Sequence, residues 1–166
     1  MGYFEDKFLP EIIAKKERKE KGGYNGIPFC FSNYSDYIES IDKGIYYAIA
    51  SGPGNGKSFL MRYSFIYEPV KFALKTGYKL KILLFILEDS KMLVYKHIYA
   101  HFLWENYKIY ISKKILDSKT EPIPQKYIDL LKKDVEFFKV FEDMVYIIDD
   151  KTDPDSILDT CLKAHA

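Results

Sequence analysis

The sequence predicts an α/β fold in which parallel strands are joined by helices. Two short apolar runs, at residues 79–87 and 144–148, both end in acidic residues, as buried strands of a parallel sheet often do. A third apolar run, at residues 45–50, ends in a glycine-rich turn. Segments with helical apolar spacing separate the three runs. This alternation predicts parallel strands connected by helical crossovers.

Composition narrows the class of protein only slightly. The chain has 166 residues, 48% of them apolar and 30% charged, which is typical of one folded globular domain. A net charge of +1 neither favours nor excludes a nucleic-acid partner. Cys30 and Cys161 lie far apart, so we expect free thiols and a reducing, cytoplasmic compartment. The longest apolar run, residues 82–87, is too short to cross a membrane.

The first 21 residues predict a short amphipathic helix with a charged tail. Five apolar residues recur at helical spacing: Phe4, Phe8, Leu9, Ile12 and Ile13. The charged tail, KKERKEK, covers residues 15–21. The apolar stripe is suited either to packing on its own domain or to docking on a neighbouring subunit. We place the core domain at residues 22–166.

A glycine-rich stretch, GPGNGKS at residues 52–58, precedes a helical pattern. Glycines let backbone N–H groups curl around an anion, and the following helix N-terminus adds a positive field. In such a Walker A loop Lys57 reaches the β- and γ-phosphates, and Ser58 holds Mg²⁺. The usual G-x-x-x-x-G-K-[ST] spacing has glycine where this chain has Ser51. We predict that ATP and Mg²⁺ bind at Gly52, Pro53, Gly54, Asn55, Gly56, Lys57 and Ser58.

The helix after this loop is predicted to cover residues 59–67. Pro69 is expected to interrupt it and to open a second helix that Gly77 closes after Thr76.

The strand at residues 79–87 is followed directly by Glu88, and Ser90 is suited to cap a helix over residues 91–107. Ligands of open α/β sheets bind at the carboxyl edge of the strands, where Glu88 is expected. Glu88 then either polarises a water that attacks the γ-phosphate or only stabilises the helix dipole.

The last third of the chain predicts a helix at residues 125–141, a strand at residues 144–148, and a short helix capped by Asp155 or Ser156. Four apolar residues followed by Asp149 fit the second signature of phosphate-loop ATPases, in which the first acid serves Mg²⁺.

From about residue 22 onward, the chain resembles the RecA-type ATPase domain of DnaB-like replicative helicases, especially those of large bacteriophages. Four segments carry the resemblance: GGYNGIPF, GPGNGKS, LLFILEDS and VYIIDDKTDPDSILDTCL. It implies a three-layer RecA-like core that hydrolyses ATP to move on single-stranded DNA during replication. For a phage protein, the compartment would be the cytoplasm of the bacterial host.

The resemblance also implies roles for individual residues. Glu88 falls on the acid that activates the attacking water. The strand ending at Asp149 is not the magnesium-binding strand of that family, which is expected after Ala166, so the core is expected to be incomplete. The N-terminal helix matches the linker helix that docks on the adjacent subunit of a ring.

Two other hypotheses stay open. One is a module that binds a nucleotide without hydrolysing it, to order an interface. The other is a complete small ATPase or kinase with Asp149 on Mg²⁺. Arg18 and Arg62 are the only arginines, which disfavours a kinase because phosphoryl transfer usually needs a guanidinium.

Overall fold

The computed structural model describes residues 2–34, 36–42, 44–119, 121–151 and 153–165. The chain divides into two compact units, Met1–Tyr78 and Lys79–Ala166. The described residues are mostly helical with a few short strands, and the second unit contains a parallel pair of strands. Among the described residues, no helix combines the length and apolar character needed to span a bilayer.

The first unit is built from helices and one small antiparallel pair of strands. In chain order its elements are α1 (Leu9–Glu20), β1 (Ile27–Pro28), β2 (Ser40–Ile41), α2 (Lys57–Arg62) and α3 (Glu68–Thr76). Strand β1 pairs with β2 through Ile27 opposite Ile41. The core of this unit forms around Ile66, Tyr67 and Val70. Gly77 ends α3 in a left-handed conformation, as predicted.

Helix α1 continues an earlier π-type turn, Phe4–Phe8, and neither segment contains a buried residue. Most of the charged residues 15–21 belong to this helix, and all of them are exposed. Ion pairs one turn apart, such as Lys15–Glu11 (3.4 Å) and Lys16–Glu20 (3.6 Å), favour helix here. The apolar stripe is about half exposed along its length.

Pro69 does not interrupt the helix that follows the glycine loop. Helical structure is continuous from α2 through a π-type turn, Tyr63–Tyr67, into α3, where Pro69 lies in the first turn. Proline has no N–H for the carbonyl four residues earlier. The wider π turn just before it accommodates this missing bond, so the expected break does not form. The same arrangement occurs at Pro10, which follows the turn Phe4–Phe8.

The predicted strand at residues 45–50 is also wrong. The segment has no strand assignment, although Tyr47 and Ile49 are half-buried and alternate with exposed neighbours. Tyr47 anchors it, because its hydroxyl donates to the Ser40 carbonyl (3.0 Å) and its ring packs against Phe65 at 5.5 Å. An extended chain becomes a strand only when a second chain pairs with its backbone. No such pairing occurs among the residues described in this unit.

The second unit carries the parallel strands. Its elements are β3 (Ile82–Phe85), α4 (Lys91–Tyr107), α5 (Lys113–Leu116), α6 (Gln125–Lys133), α7 (Val135–Met144), β4 (Val145–Ile148) and α8 (Pro154–His165). Strand β3 is shorter than predicted and is half-buried throughout. It pairs with β4 in parallel, from Ile82 opposite Val145 to Phe85 opposite Ile148. The predicted parallel relation of these two strands is confirmed.

The long helix predicted at residues 125–141 is two helices, α6 and α7, that meet at Asp134. This carboxylate is buried and accepts a hydrogen bond from the Tyr107 hydroxyl (2.7 Å). This bond satisfies Oδ1, whereas Oδ2 is buried without a hydrogen-bond partner among the described residues. The backbone at Asp134, with φ −92° and ψ 4°, ends α6 and begins α7.

Helix α8 is longer than predicted and has a different cap. Asp153, not Asp155 or Ser156, accepts the Ser156 N–H (2.9 Å) and also the Ser156 hydroxyl. By contrast, α4 has the predicted bounds, and Ser90 caps it by accepting the Leu93 N–H (3.3 Å).

Candidate nucleotide-binding loop and acidic edge

The glycine loop has the backbone that its sequence predicts. Gly54 and Gly56 adopt left-handed conformations, with φ of 76° and 79°. A Cβ added at either position would meet nothing within 4 Å, so backbone conformation, and not lack of space, requires glycine. Gly56 is the N-cap of α2, and its carbonyl accepts the Leu60 N–H (2.9 Å). In the described part of the chain, no side chain caps this helix start.

Lys57 folds back toward the beginning of the loop. Its ammonium donates to the Ser51 carbonyl at 3.0 Å, and the side chain is half-buried. Ser58 is exposed at the next position. The Lys57 ammonium, the Ser58 hydroxyl and the first backbone amides of α2 therefore lie within one short exposed segment. This is the donor set that binds phosphate groups.

A cavity of about 430 Å³ lies next to the loop within the first unit. Most of its lining is apolar and aromatic, while two side chains come from the loop's own helix start. The lining residues are Ile45, Tyr46, Tyr47, Ile49, Lys57, Ser58, Met61 and Phe65. Pockets that bind small molecules typically combine this size with a few polar groups.

The acidic edge of the second unit is formed where β3 and β4 end. Because the strands are parallel and Phe85 lies opposite Ile148, their carboxyl ends coincide. Glu88 follows β3 within the short connection to α4, and its side chain is exposed. Asp149 follows β4 directly and is also exposed. The structure thus brings the segments that bear Glu88 and Asp149 to one edge of the sheet.

Asp149 has a partner that the sequence analysis missed. Its Oδ2 accepts a hydrogen bond from the Lys91 backbone N–H at 2.9 Å, at the first residue of α4. A carboxylate at this position satisfies an amide without an intrahelical partner and interacts favourably with the helix dipole. The two residues are 58 positions apart, so no local sequence signal indicates the contact.

Both arginines have structural partners in the first unit. Arg62 is buried and hydrogen-bonds Tyr67. Burial raises the pKa of the Tyr67 hydroxyl to about 12, although the Arg62 guanidinium lowers it. Arg18 donates to the Asn25 side chain at 3.0 Å. Within the described residues we therefore assign neither arginine to a phosphate site.

Across the described residues, no group of three or more His, Cys, Asp or Glu side chains is arranged to hold a metal ion. Ser58 and Asp149, the predicted magnesium contacts, are placed in different units. The predicted approach of Lys57 to Glu88 also joins the two units and stays a prediction.

A separate apolar groove of about 610 Å³ lies among helices of the second unit. Its walls are mostly apolar and include Tyr95, Tyr99, Leu131, Val135 and Phe138. Desolvation, and then the hydrogen bond that Tyr95 donates to Glu142 (2.5 Å), raise the pKa of Tyr95. Three lysines also line the groove: Lys96, Lys132 and Lys139.

Comparison with family models, with curated proteins and with solved structures found no match to this chain. The site therefore has to be interpreted from its own geometry.

Proposed function

We propose that the chain binds Mg·ATP at the glycine loop and is the ATP-binding part of a DnaB-like DNA helicase with a RecA-like core. The loop geometry carries the binding proposal. Two left-handed glycines, an N-cap at Gly56 and the ammonium of Lys57 lie in one exposed segment. Backbone amides and Lys57 would bind the phosphates, and Ser58 would contact Mg²⁺ through its hydroxyl.

The hydrolysis step is assigned to Glu88. In this proposal its carboxylate takes up a proton from a water aligned with the γ-phosphate, while Lys57 stabilises charge on the transferring group. Two features support it: Glu88 follows a parallel strand at its carboxyl edge, and its side chain is exposed. Energy from this step would drive movement on single-stranded DNA in the complete helicase.

The alternative of a complete small ATPase with Asp149 on Mg²⁺ has weaker support. One oxygen of Asp149 already accepts the Lys91 N–H. The alternative of a nucleotide-binding module without turnover uses the same loop, and only a turnover measurement separates it from the helicase.

Assembly into a ring is the second part of the proposal. The helical residues 4–20 expose an apolar stripe that includes Phe8 and Ile12, each 47% exposed. The apolar groove of a second copy is the surface that we propose it occupies. Both surfaces are mostly apolar, so contact between them would remove apolar area from water.

Binding and phosphate release should be measured together for the intact chain, with and without single-stranded DNA. We expect micromolar Mg·ATP binding that falls at least tenfold in Lys57→Ala, since charge-assisted contacts contribute about 1.5–3 kcal/mol. Lys75→Ala, an exposed lysine on α3, is the matched control. Equal binding by the wild type and Lys57→Ala contradicts the site. Binding without turnover in any DNA condition favours the module.

Assembly is tested by sedimentation at several protein concentrations. Ile12→Asp should shift the chain toward monomer, whereas Ala14→Asp, on the opposite face of α1, should not. Val135→Asp in the groove should reproduce the Ile12→Asp effect. A wild-type chain that is monomeric at every concentration contradicts this assignment.

A further inference from the structure

We propose that Asp149 is a positioning residue that holds the Glu88 segment in place, and that it is not a magnesium ligand. The inference rests on the proposed hydrolysis by Glu88, which it extends to a second residue. It starts from two hydrogen bonds that enclose this segment on both sides.

The first bond continues the strand pairing. Beyond the last paired residues, the Ile86 N–H donates to the Ile148 carbonyl at 2.9 Å. The second bond is the Asp149 contact with the Lys91 N–H, also at 2.9 Å. Residues 87–90, which include Glu88, therefore lie between two hydrogen bonds. These bonds join Ile86 and Lys91, the residues on either side, to Ile148 and Asp149 at the end of β4.

Two side chains of the segment lie in solvent. Leu87 is 63% exposed, and Glu88 is exposed as well. Ser90 caps α4, but this contact joins neighbouring residues and does not tie the segment to the sheet. Asp149 supplies that connection, because it ties the start of α4 to the neighbouring strand.

The chemistry of the contact also favours positioning. A carboxylate that accepts a helix-start amide has one oxygen oriented by that bond, and the interaction strengthens the helix N-terminus. A general base must be held within hydrogen-bond reach of the water it activates. Loosening the segment should therefore lower the turnover number and leave nucleotide affinity unchanged.

The test compares Asp149→Ala with Asp149→Asn. Asparagine keeps a carbonyl oxygen that can accept the Lys91 N–H, so Asp149→Asn should keep the segment in place. Alanine has no such oxygen, so Asp149→Ala should loosen the segment. Asp150→Asn is the matched control, because Asp150 pairs with Lys151 at 3.5 Å in the adjacent position.

The first readout is amide hydrogen exchange of residues 86–91 in the chain without nucleotide. Exchange should accelerate at least ~10-fold in Asp149→Ala and little in Asp149→Asn or the control. The second readout is ATP turnover: kcat should fall ~10- to 100-fold in Asp149→Ala, with KM and the half-saturating Mg²⁺ concentration changed less than twofold.

Two results would overturn the proposal. One is unchanged exchange in Asp149→Ala. The other is an increased Mg²⁺ requirement in both variants, which identifies a metal ligand that asparagine cannot replace. If the wild type shows no turnover, the hydrolysis proposal fails, but the exchange experiment still decides whether Asp149 holds the segment.

Discussion

The glycine loop and the acidic edge obtain their geometry in different ways. In the loop, the left-handed glycines, the helix start and the Lys57–Ser51 contact all lie within residues 51–58. At the edge, Glu88 and Asp149 come from strands far apart in the chain that pair in parallel. Local backbone preference sets the loop, whereas long-range packing sets the edge. Mutations should therefore affect them through different mechanisms.

The largest effect is expected in the core of the unit that carries the edge. Phe141, 2% exposed, lies near the end of α7, directly before β4. Phe141→Ala should lower the free energy of unfolding by about 3–5 kcal/mol, because it removes buried surface and leaves a cavity. Urea denaturation measures the loss. Tyr110→Ala, at a residue 81% exposed, is the control and should change stability by less than ~0.5 kcal/mol. Similar losses in both variants would contradict the assignment of Phe141 to the core.

The second prediction addresses the loop backbone. Gly56→Ala forces a side chain into a left-handed conformation and should cost about 1–2 kcal/mol of stability. Gly44→Ala is a close match, because Gly44 has φ 77° and open space around it, as Gly56 does. Both variants should lose similar stability in thermal melts, but only Gly56→Ala should also weaken ATP binding in calorimetry. Equal ATP affinity in the two variants would argue against a phosphate site.

A smaller effect is expected at Ser58. Ser58→Ala removes the hydroxyl proposed to contact Mg²⁺, and we expect ATP affinity to fall about fivefold, near 1 kcal/mol. The loss should appear only when Mg²⁺ is present, so titrations with and without Mg²⁺ are compared. Ser51→Ala, which leaves the Ser51 carbonyl in place for Lys57, is the control. An equal loss of ATP affinity without Mg²⁺ would indicate that the Ser58 hydroxyl contacts the nucleotide directly.

The smallest effect concerns pH. Hydrogen bonds from Ser156 lower the pKa of Asp153 below its usual range. A carboxyl group whose pKa is lower in the folded chain stabilises the folded state at pH values above its unfolded pKa of about 3.9. This stabilisation is lost as the pH falls through the lower pKa of the folded state. The start of α8 should therefore fray in acid, which NMR chemical shifts of residues 154–157 would report. Asp153→Asn should remove this pH dependence; an unchanged acid transition in that variant would assign it to another group.

Where the sequence prediction succeeded, the deciding residues are neighbours. Gly56 before Lys57, Gly77 after α3 and Ser90 before α4 all act on the backbone within a few residues. The apolar runs predicted β3 and β4, and the Ser90 cap predicted the start of α4. The parallel pairing of β3 with β4 followed from the helices between them.

The sequence predictions were wrong where a residue distant in the chain determines the local structure. Residues 45–50 have the composition of a strand, but a strand exists only when another backbone pairs with it. Helices α6 and α7 meet at Asp134, whose buried carboxylate accepts a hydrogen bond from the Tyr107 hydroxyl, 27 residues away. Apolar spacing continues across that position, so the pattern alone predicted one helix.

The sequence by itself determined the glycine loop, because left-handed φ angles and a helix start are properties of consecutive residues. Only the tertiary structure decided what Asp149 contacts. Its sequence context fits a magnesium ligand, yet in the folded chain it accepts the Lys91 N–H, 58 residues away. Hydrogen-bond partners across that separation are chosen by how strands and helices pack, which residue spacing does not encode.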